Sequence, residues 1–234
     1  MVFVGGFGSS WKEYQGLARI LREVSEFEVF ISSISPVDWM VAFPRGFASI
    51  VDKVARTVDQ AVSQTGADRV VIVGHSIGGI VARLYLGDGS SIASTNNNPK
   101  KVSELITLGT PHQVAGSWFG IRKGIHVANK CYPGAYRSPD VRYLSVAGKK
   151  VFGRILGSGE ERRAYWNYYW VARRGGVWGD GVVPTDSAIL AGSRALILPG
   201  VGHRYTSHKD NSAAGRWYGE DEATVQWWWT HLIG

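Results

Sequence analysis

The chain has 234 residues, 44% hydrophobic and 19% charged, an ordinary globular composition long enough to bury a sizeable core. Its one cysteine, Cys131, excludes an internal disulfide framework, and no apolar run reaches the ~18 residues of a membrane-spanning helix. The net charge of +7 is uneven: residues 115–176 hold twelve Lys/Arg against Asp140, Glu160 and Glu161, leaving the rest slightly acidic. Met1-Val2-Phe3-Val4 runs straight into Gly5-Gly6 with no basic segment or cleavage site. It does not read as a secretory signal, so a soluble, intracellular protein is expected.

Short β-branched runs alternate with helical patterns, the signature of βαβ units around a parallel sheet. The expected strands are Val2–Gly5, Phe27–Ile34, Arg69–Gly74, Glu104–Leu108, Arg142–Ala147 and Ala195–Leu198. Val70-Val71-Ile72-Val73 is continuously apolar, as a central strand covered on both faces should be. Ser10-Trp11-Lys12-Glu13 is a capping box, followed at helical spacing by Tyr14, Leu17, Ala18 and Leu21. A second apolar stripe runs from Phe47 to Val62 and stops at Gly66. A third helix starts after Ser76 and carries Ile80, Val81, Leu84 and Tyr85. Gly87–Lys101 is polar and reads as a surface loop. Residues 112–140 are too long for an ordinary connection and read as a lid or substrate-binding insertion within a single domain, 1–234. A short helix is expected at Pro184–Ala191, capped by Asp186. The last helix opens with Glu220-Asp221-Glu222 and runs through Trp227-Trp228-Trp229.

The sharpest chemical signal is strand, Gly74-His75-Ser76-Ile77-Gly78, then helix. That context turns a common pentapeptide into a nucleophile elbow, with Ser76 exposed on a tight turn above the carboxyl edge of the sheet. Ile77 N–H, at the helix N-terminus, then points where an oxyanion would form. A second donor should come from the loop after an early strand. Val4-Gly5-Gly6-Phe7-Gly8 fits, with Phe7 N–H first and Gly6 next. Serine needs a base oriented by an acid. Asp180 lies between glycines past the penultimate strand, and His203 follows the last strand, in the order Ser, Asp, His that such a fold uses. His208 competes with His203 for the base. His75 and His112 stand near enough in sequence to line a substrate site, and His231 sits in the final helix. The six histidines show no metal-ligand spacing, and the triad needs no cofactor.

Four blocks together carry a family resemblance. These are Gly74-His75-Ser76-Ile77-Gly78-Gly79, Ile106-Thr107-Leu108-Gly109-Thr110-Pro111-His112, Val177–Pro184 around Asp180, and Gly200-Val201-Gly202-His203. They resemble those of lipase-type α/β-hydrolases. With Trp217-Tyr218-Gly219, the set is most similar to a plant and cyanobacterial branch described as GPI inositol-deacylase-like. The resemblance implies Ser76, Asp180 and His203 as the triad, and a plastid or cyanobacterial location. Two positions depart from it. Gly5-Gly6 replaces the common His-Gly of the oxyanion strand, and Arg204 replaces a small polar residue after the histidine.

The expected fold is a trimmed α/β-hydrolase, a six-stranded, mostly parallel sheet with helices on both faces. The expected reaction is hydrolysis of a lipid or other acyl ester through an acyl-enzyme on Ser76. Acyl transfer or thioester cleavage on the same triad, or a non-catalytic binding scaffold, are the alternatives. Tyr165–Trp170 is aromatic almost throughout and lies in the basic segment. That composition suits peripheral contact with an anionic membrane surface or the wall of an acyl pocket, and equally ordinary core packing. No nucleic-acid motif accompanies it.

Overall fold

The computed structural model describes residues 1–42, 47–89, 96–115, 121–204 and 216–233. Its strands are β1 (Val2–Val4), β2 (Phe30–Ile31), β3 (Val70–His75), β4 (Val102–Leu108), β5 (Arg142–Lys149), β6 (Val151–Phe152), β7 (Trp178–Gly179) and β8 (Arg194–Pro199). Six of them form one sheet in the order β2-β1-β3-β4-β5-β8, and all five of its pairings are parallel. The antiparallel pair β6–β7 is a separate ribbon that the sequence pattern did not announce. Strand β2 is much shorter than the expected Phe27–Ile34. It is an edge strand that pairs only with β1, through Val2–Phe30 and Phe3–Ile31.

The helices are α1 (Gln15–Ser25), α2 (Pro36–Ala42), α3 (Ala48–Thr65), α4 (Ile77–Tyr85), α5 (Ile121–Cys131), α6 (Gly159–Ala172) and α7 (Glu222–Ile233). Side chains of β3 alternate between the two faces of the sheet, as a period of two requires. Val70 and Ile72 join the core under α3, α4 and α5, with Val54, Ile80, Leu84 and Ile125. Val71 and Val73 join the opposite core under α1 and α7, with Leu17, Leu21, Val225 and Trp228. Each such aliphatic side chain contributes about 1.5–3 kcal/mol on burial.

Local signals explain the helix ends. The capping box at Ser10 and Glu13 is present and opens a 3-10 turn, Trp11–Tyr14, that leads into α1. Gly66 closes α3 at φ +69°, a left-handed stop that costs glycine little. Asp221 caps α7 by accepting from Thr224 N–H at 2.7 Å. The short helix expected at Pro184–Ala191 is instead a 3-10 turn, Asp186–Ala188, with Thr185 at its N-cap. Asp186 does not cap it and pairs with Arg174 at 2.5 Å.

Three helices were not foreseen: α2, α5 and α6. Helix α5 lies inside the segment expected to be a lid or substrate-binding insertion, of which residues 116–120 fall outside the described residues. Ile125 and Ala128 of α5 are buried against α4. Arg83, on α4, is itself buried. Its guanidinium donates to Asn129 Oδ1 at 2.9 Å and to the carbonyls of Ala128 and Tyr132 at 3.2 and 2.9 Å. Burial pulls the Arg83 pKa down to about 10.

The sheet order places the site. From β1 the chain steps outward to β2, then returns past β1 to β3 and continues the other way. The order therefore reverses between β1 and β3, and ligands of open α/β sheets bind outside the carboxyl ends at such a switch point.

Candidate active site

Ser76 leaves β3 and begins α4 with φ 54° and ψ −129°, a backbone conformation costly for any residue with a Cβ. The turn is held because its surroundings leave no room for alternatives. A Cβ on Gly78 would lie 2.3 Å from the Val4 carbonyl oxygen and 2.6 Å from that of Gly5, so α4 abuts the end of β1 directly. The N–H of Ser76 is fixed to the Leu108 carbonyl at 2.8 Å. Ile77 N–H then opens α4, where helix geometry supplies no acceptor four residues back.

The loops after β7 and β8 converge on this turn. Ser76 Oγ lies 3.0 Å from His203 Nε2, and His203 Nδ1 lies 2.7 Å from Asp180 Oδ2. All three residues are buried. The other carboxylate oxygen, Oδ1, accepts from the N–H groups of Val182 at 3.0 Å and Val183 at 2.7 Å. Tyr218 donates its hydroxyl to Oδ2 at 2.9 Å while accepting from Gly148 N–H at 2.7 Å. Burial alone would push the Asp180 carboxyl up. The charge of His203 and these hydrogen bonds overcome that and hold it below its ordinary value. The backbone adds a further tie, His203 N–H to Asp180 C=O at 2.8 Å.

His75, beside Ser76, has a different task. Its Nε2 is 3.0 Å from the His203 carbonyl. A carbonyl only accepts, so Nε2 carries the ring proton and Nδ1 is bare. Tyr14 donates its hydroxyl to that Nδ1 at 2.9 Å and accepts from Gly6 N–H at 2.9 Å. Burial, followed by the neighbouring His203, drops the His75 pKa to about 3, so the ring stays neutral. A continuous chain thus runs from the loop after β1, through Tyr14 and His75, to the backbone of His203.

These groups line a cavity of about 570 Å³, bounded by Gly6, Phe7, Tyr14, Ser76, His203 and Trp217, with Arg204 also in its wall. Of the residues expected at a substrate site, Gly6, Phe7 and His75 are in this wall. The Gly6 N–H, however, is spent on the Tyr14 hydroxyl. His112 is not in the wall. It is buried, with Nε2 3.0 Å from Thr107 Oγ1 and Nδ1 3.4 Å from Arg83, because the Thr-Pro turn swings its ring back under β4. The competing base His208 lies outside the described residues. Tyr14 escaped sequence reasoning as a site residue, since it read only as one more apolar position on a helix. Tyr218 stood in view in Trp217-Tyr218-Gly219, with nothing there to tie it to Asp180. Among the described residues no group of three or more His, Cys, Asp or Glu could hold a metal ion.

The sheet, the elbow turn and the loops converging on it give the chain an α/β-hydrolase fold. A family model for the PGAP1-like alpha/beta domain matches residues 46–129, which take in α3, α4 and most of α5. GPI inositol-deacylase B of Yarrowia lipolytica (strain CLIB 122 / E 150) is 31% identical over 93 residues, 36% of this chain and 9% of that protein. This chain therefore spans under a tenth of that relative. Among solved structures, the product of gene lin2722 from Listeria innocua superposes with a TM-score of 0.52 at 16% identity, covering 97% of this chain and 92% of that one. That likeness speaks to the fold. A monoacylglycerol lipase of Paleococcus ferrophilus gives a TM-score of 0.48 at 12% identity, over 98% and 93% of the two chains. No helix among the described residues is long and apolar enough to cross a membrane.

Proposed function

We propose that this protein hydrolyses carboxylic esters through an acyl-enzyme on Ser76. The observation that carries this is the buried line Ser76 Oγ, His203 Nε2, His203 Nδ1, Asp180 Oδ2, with spacings of 3.0 and 2.7 Å. In this reading His203 takes the Ser76 proton as Oγ attacks the ester carbonyl carbon, and Asp180 stabilises the resulting imidazolium. The N–H groups of Ile77 and Phe7 hold the tetrahedral oxyanion. His203 returns the proton to the departing alkoxide, which leaves as alcohol. Water, deprotonated by His203 in turn, then releases the acid from Ser76. Asp180 is built for this role, with donors on both oxygens keeping it charged.

The partial match to a GPI inositol-deacylase and the aromatic wall of Phe7, Tyr14 and Trp217 favour an acyl ester of a lipid as substrate. The decisive experiment is turnover of a series of aryl esters of rising chain length, alongside labelling by a fluorophosphonate. Wild type should turn over and label. Ser76→Ala should do neither while melting at the wild-type temperature. Absence of labelling in wild type, or full turnover by Ser76→Ala, would overturn the proposal and leave a binding scaffold.

A further inference from the structure

Helix α6 is apolar on both sides, which a helix serving only the core would not be. Its inner side carries Ala164, Tyr168, Val171 and Ala172, all buried. Tyr168 accepts from Gly181 N–H at 2.8 Å, and Asn167 donates to Gly181 C=O at 2.9 Å. One face of α6 therefore holds the residue next to Asp180. The outer face repeats at helical spacing Arg162, Arg163, Trp166, Trp170 and Arg173, all exposed. Trp166 is 46% and Trp170 42% exposed, and Leu156, in the turn before the helix, is 96% exposed. That turn is tied to α6 by the Arg154 N–H to Glu161 C=O bond at 3.1 Å.

The charge along this segment is mainly positive. Residues 149–176 contain seven Lys/Arg and two acids. Both acids are engaged, Glu160 with Lys150 at 3.0 Å and Glu161 with Arg154 at 3.3 Å. They leave Arg162 and Arg163 without an offset in the segment. Exposed indoles flanked by guanidinium groups, with an exposed leucine in the adjoining turn, match the composition of a membrane interface. Headgroup anions meet arginine, the headgroup–acyl boundary meets tryptophan, and leucine reaches the acyl chains.

We propose that the outer face of α6, together with Leu156, docks on an anionic lipid bilayer. Single-stranded nucleic acid also pairs aromatics with cations, but it is tracked by a groove. This face is the outward surface of a helix, and Leu156 has no role in base stacking. Docking here would rest the bilayer on the helix that buttresses the acid loop, one helix thickness from Gly181.

The test is co-sedimentation with vesicles of phosphatidylcholine alone and of phosphatidylcholine with phosphatidylserine. It is run on wild type and on Ser76→Ala, so the result does not depend on catalysis. The expected result is roughly tenfold or greater preference for the anionic vesicles, falling as salt is raised. A double variant, W166S with W170S, should weaken binding about tenfold to both vesicles that bind. The pair R162E and R163E should abolish the anionic preference. Both should melt as wild type does, since the substituted side chains are exposed. Equal binding to the two vesicles, or binding untouched by either double variant, would overturn the proposal. So would retention of a single-stranded oligonucleotide by a protein that ignores both vesicles.

Discussion

The Tyr14 hydroxyl sits 2.9 Å from Nδ1 of His75, across 61 residues of sequence. Through that contact a side chain in the turn before α1 reaches His75, the neighbour of Ser76, whose tautomer the His203 carbonyl sets. The same oxygen accepts from Gly6 N–H, and His75 passes the constraint on to the His203 carbonyl. Two loops, one bearing Phe7 and one bearing His203, are thus held by one chain of hydrogen bonds.

Tyr14→Phe keeps the ring and removes this link. It leaves Gly6 N–H and His75 Nδ1 buried without that partner, at about 1–3 kcal/mol each. The expected outcome is a lower melting temperature and a kcat reduced about tenfold with KM little changed, because the loop carrying an oxyanion donor loosens. Steady-state kinetics on a short aryl ester measure it. A kcat equal to wild type would make the chain of bonds purely structural.

His75 also predicts how stability depends on pH. Its pKa is about 3 in the fold and about 6.5 in an unfolded chain. Between these values the unfolded state binds a proton that the folded state refuses, so stability is full above about 6.5 and is lost as pH falls toward 3. At pH 5 the loss from this residue is about 2 kcal/mol. Buried His112, held well below its ordinary value by burial and by Arg83, adds a loss of the same sign. Melting temperatures across pH 7 to 4.5 should fall more steeply for wild type than for His75→Gln. Parallel curves would refute this assignment.

Two glycines, one facing the elbow and one within it, should fail in different ways. A Cβ on Gly6 would meet Ser76 Cβ at 3.0 Å and His75 Nδ1 at 3.2 Å. Gly6→Ala should therefore fold and lose about 100-fold in kcat by displacing the nucleophile. On Gly78 the Cβ would strike backbone oxygens of β1 at 2.3 and 2.6 Å, which cannot rotate away. Gly78→Ala should cost about 3 kcal/mol of stability. Thermal melts with kinetics on both variants decide it, and an active, stable Gly78→Ala would contradict the packing described.

Arg83→Met tests the clamp on α5. It removes the donors to Asn129, Ala128 and Tyr132, at about 2–4 kcal/mol. Hydrogen exchange in α5 should rise more than in α3. Uniform protection in the variant would show that apolar packing of Ile125 and Ala128 holds the helix without Arg83.

The elbow was legible because its signals are local. Four apolar residues, a glycine pair around Ser76 and a helical stripe all lie between Val70 and Tyr85. Asp180 and His203 were nameable from chain order and their places after strands, and in the fold their side chains meet Ser76 in one hydrogen-bonded line. Helix α6 was hidden although its capping box, Ser158 with Glu161, was in plain view. Aromatic side chains on both of its faces erase the 3.6-residue contrast on which helix recognition depends. His112 misled for a related reason: proximity in sequence to the end of β4 does not say which way a side chain turns.

By itself the sequence determined a doubly wound sheet and the residue that follows its central strand, since apolar period and glycine spacing act over a few residues. Only the tertiary structure decided the company of Ser76. Tyr14 and Tyr218 reach His75 and Asp180 across 61 and 38 positions. Those hydrogen bonds exist because the strand order sets the end of β1 beside that of β3 and the loops after β7 and β8 fold back over the same edge, and no periodicity in a linear chain encodes such a meeting.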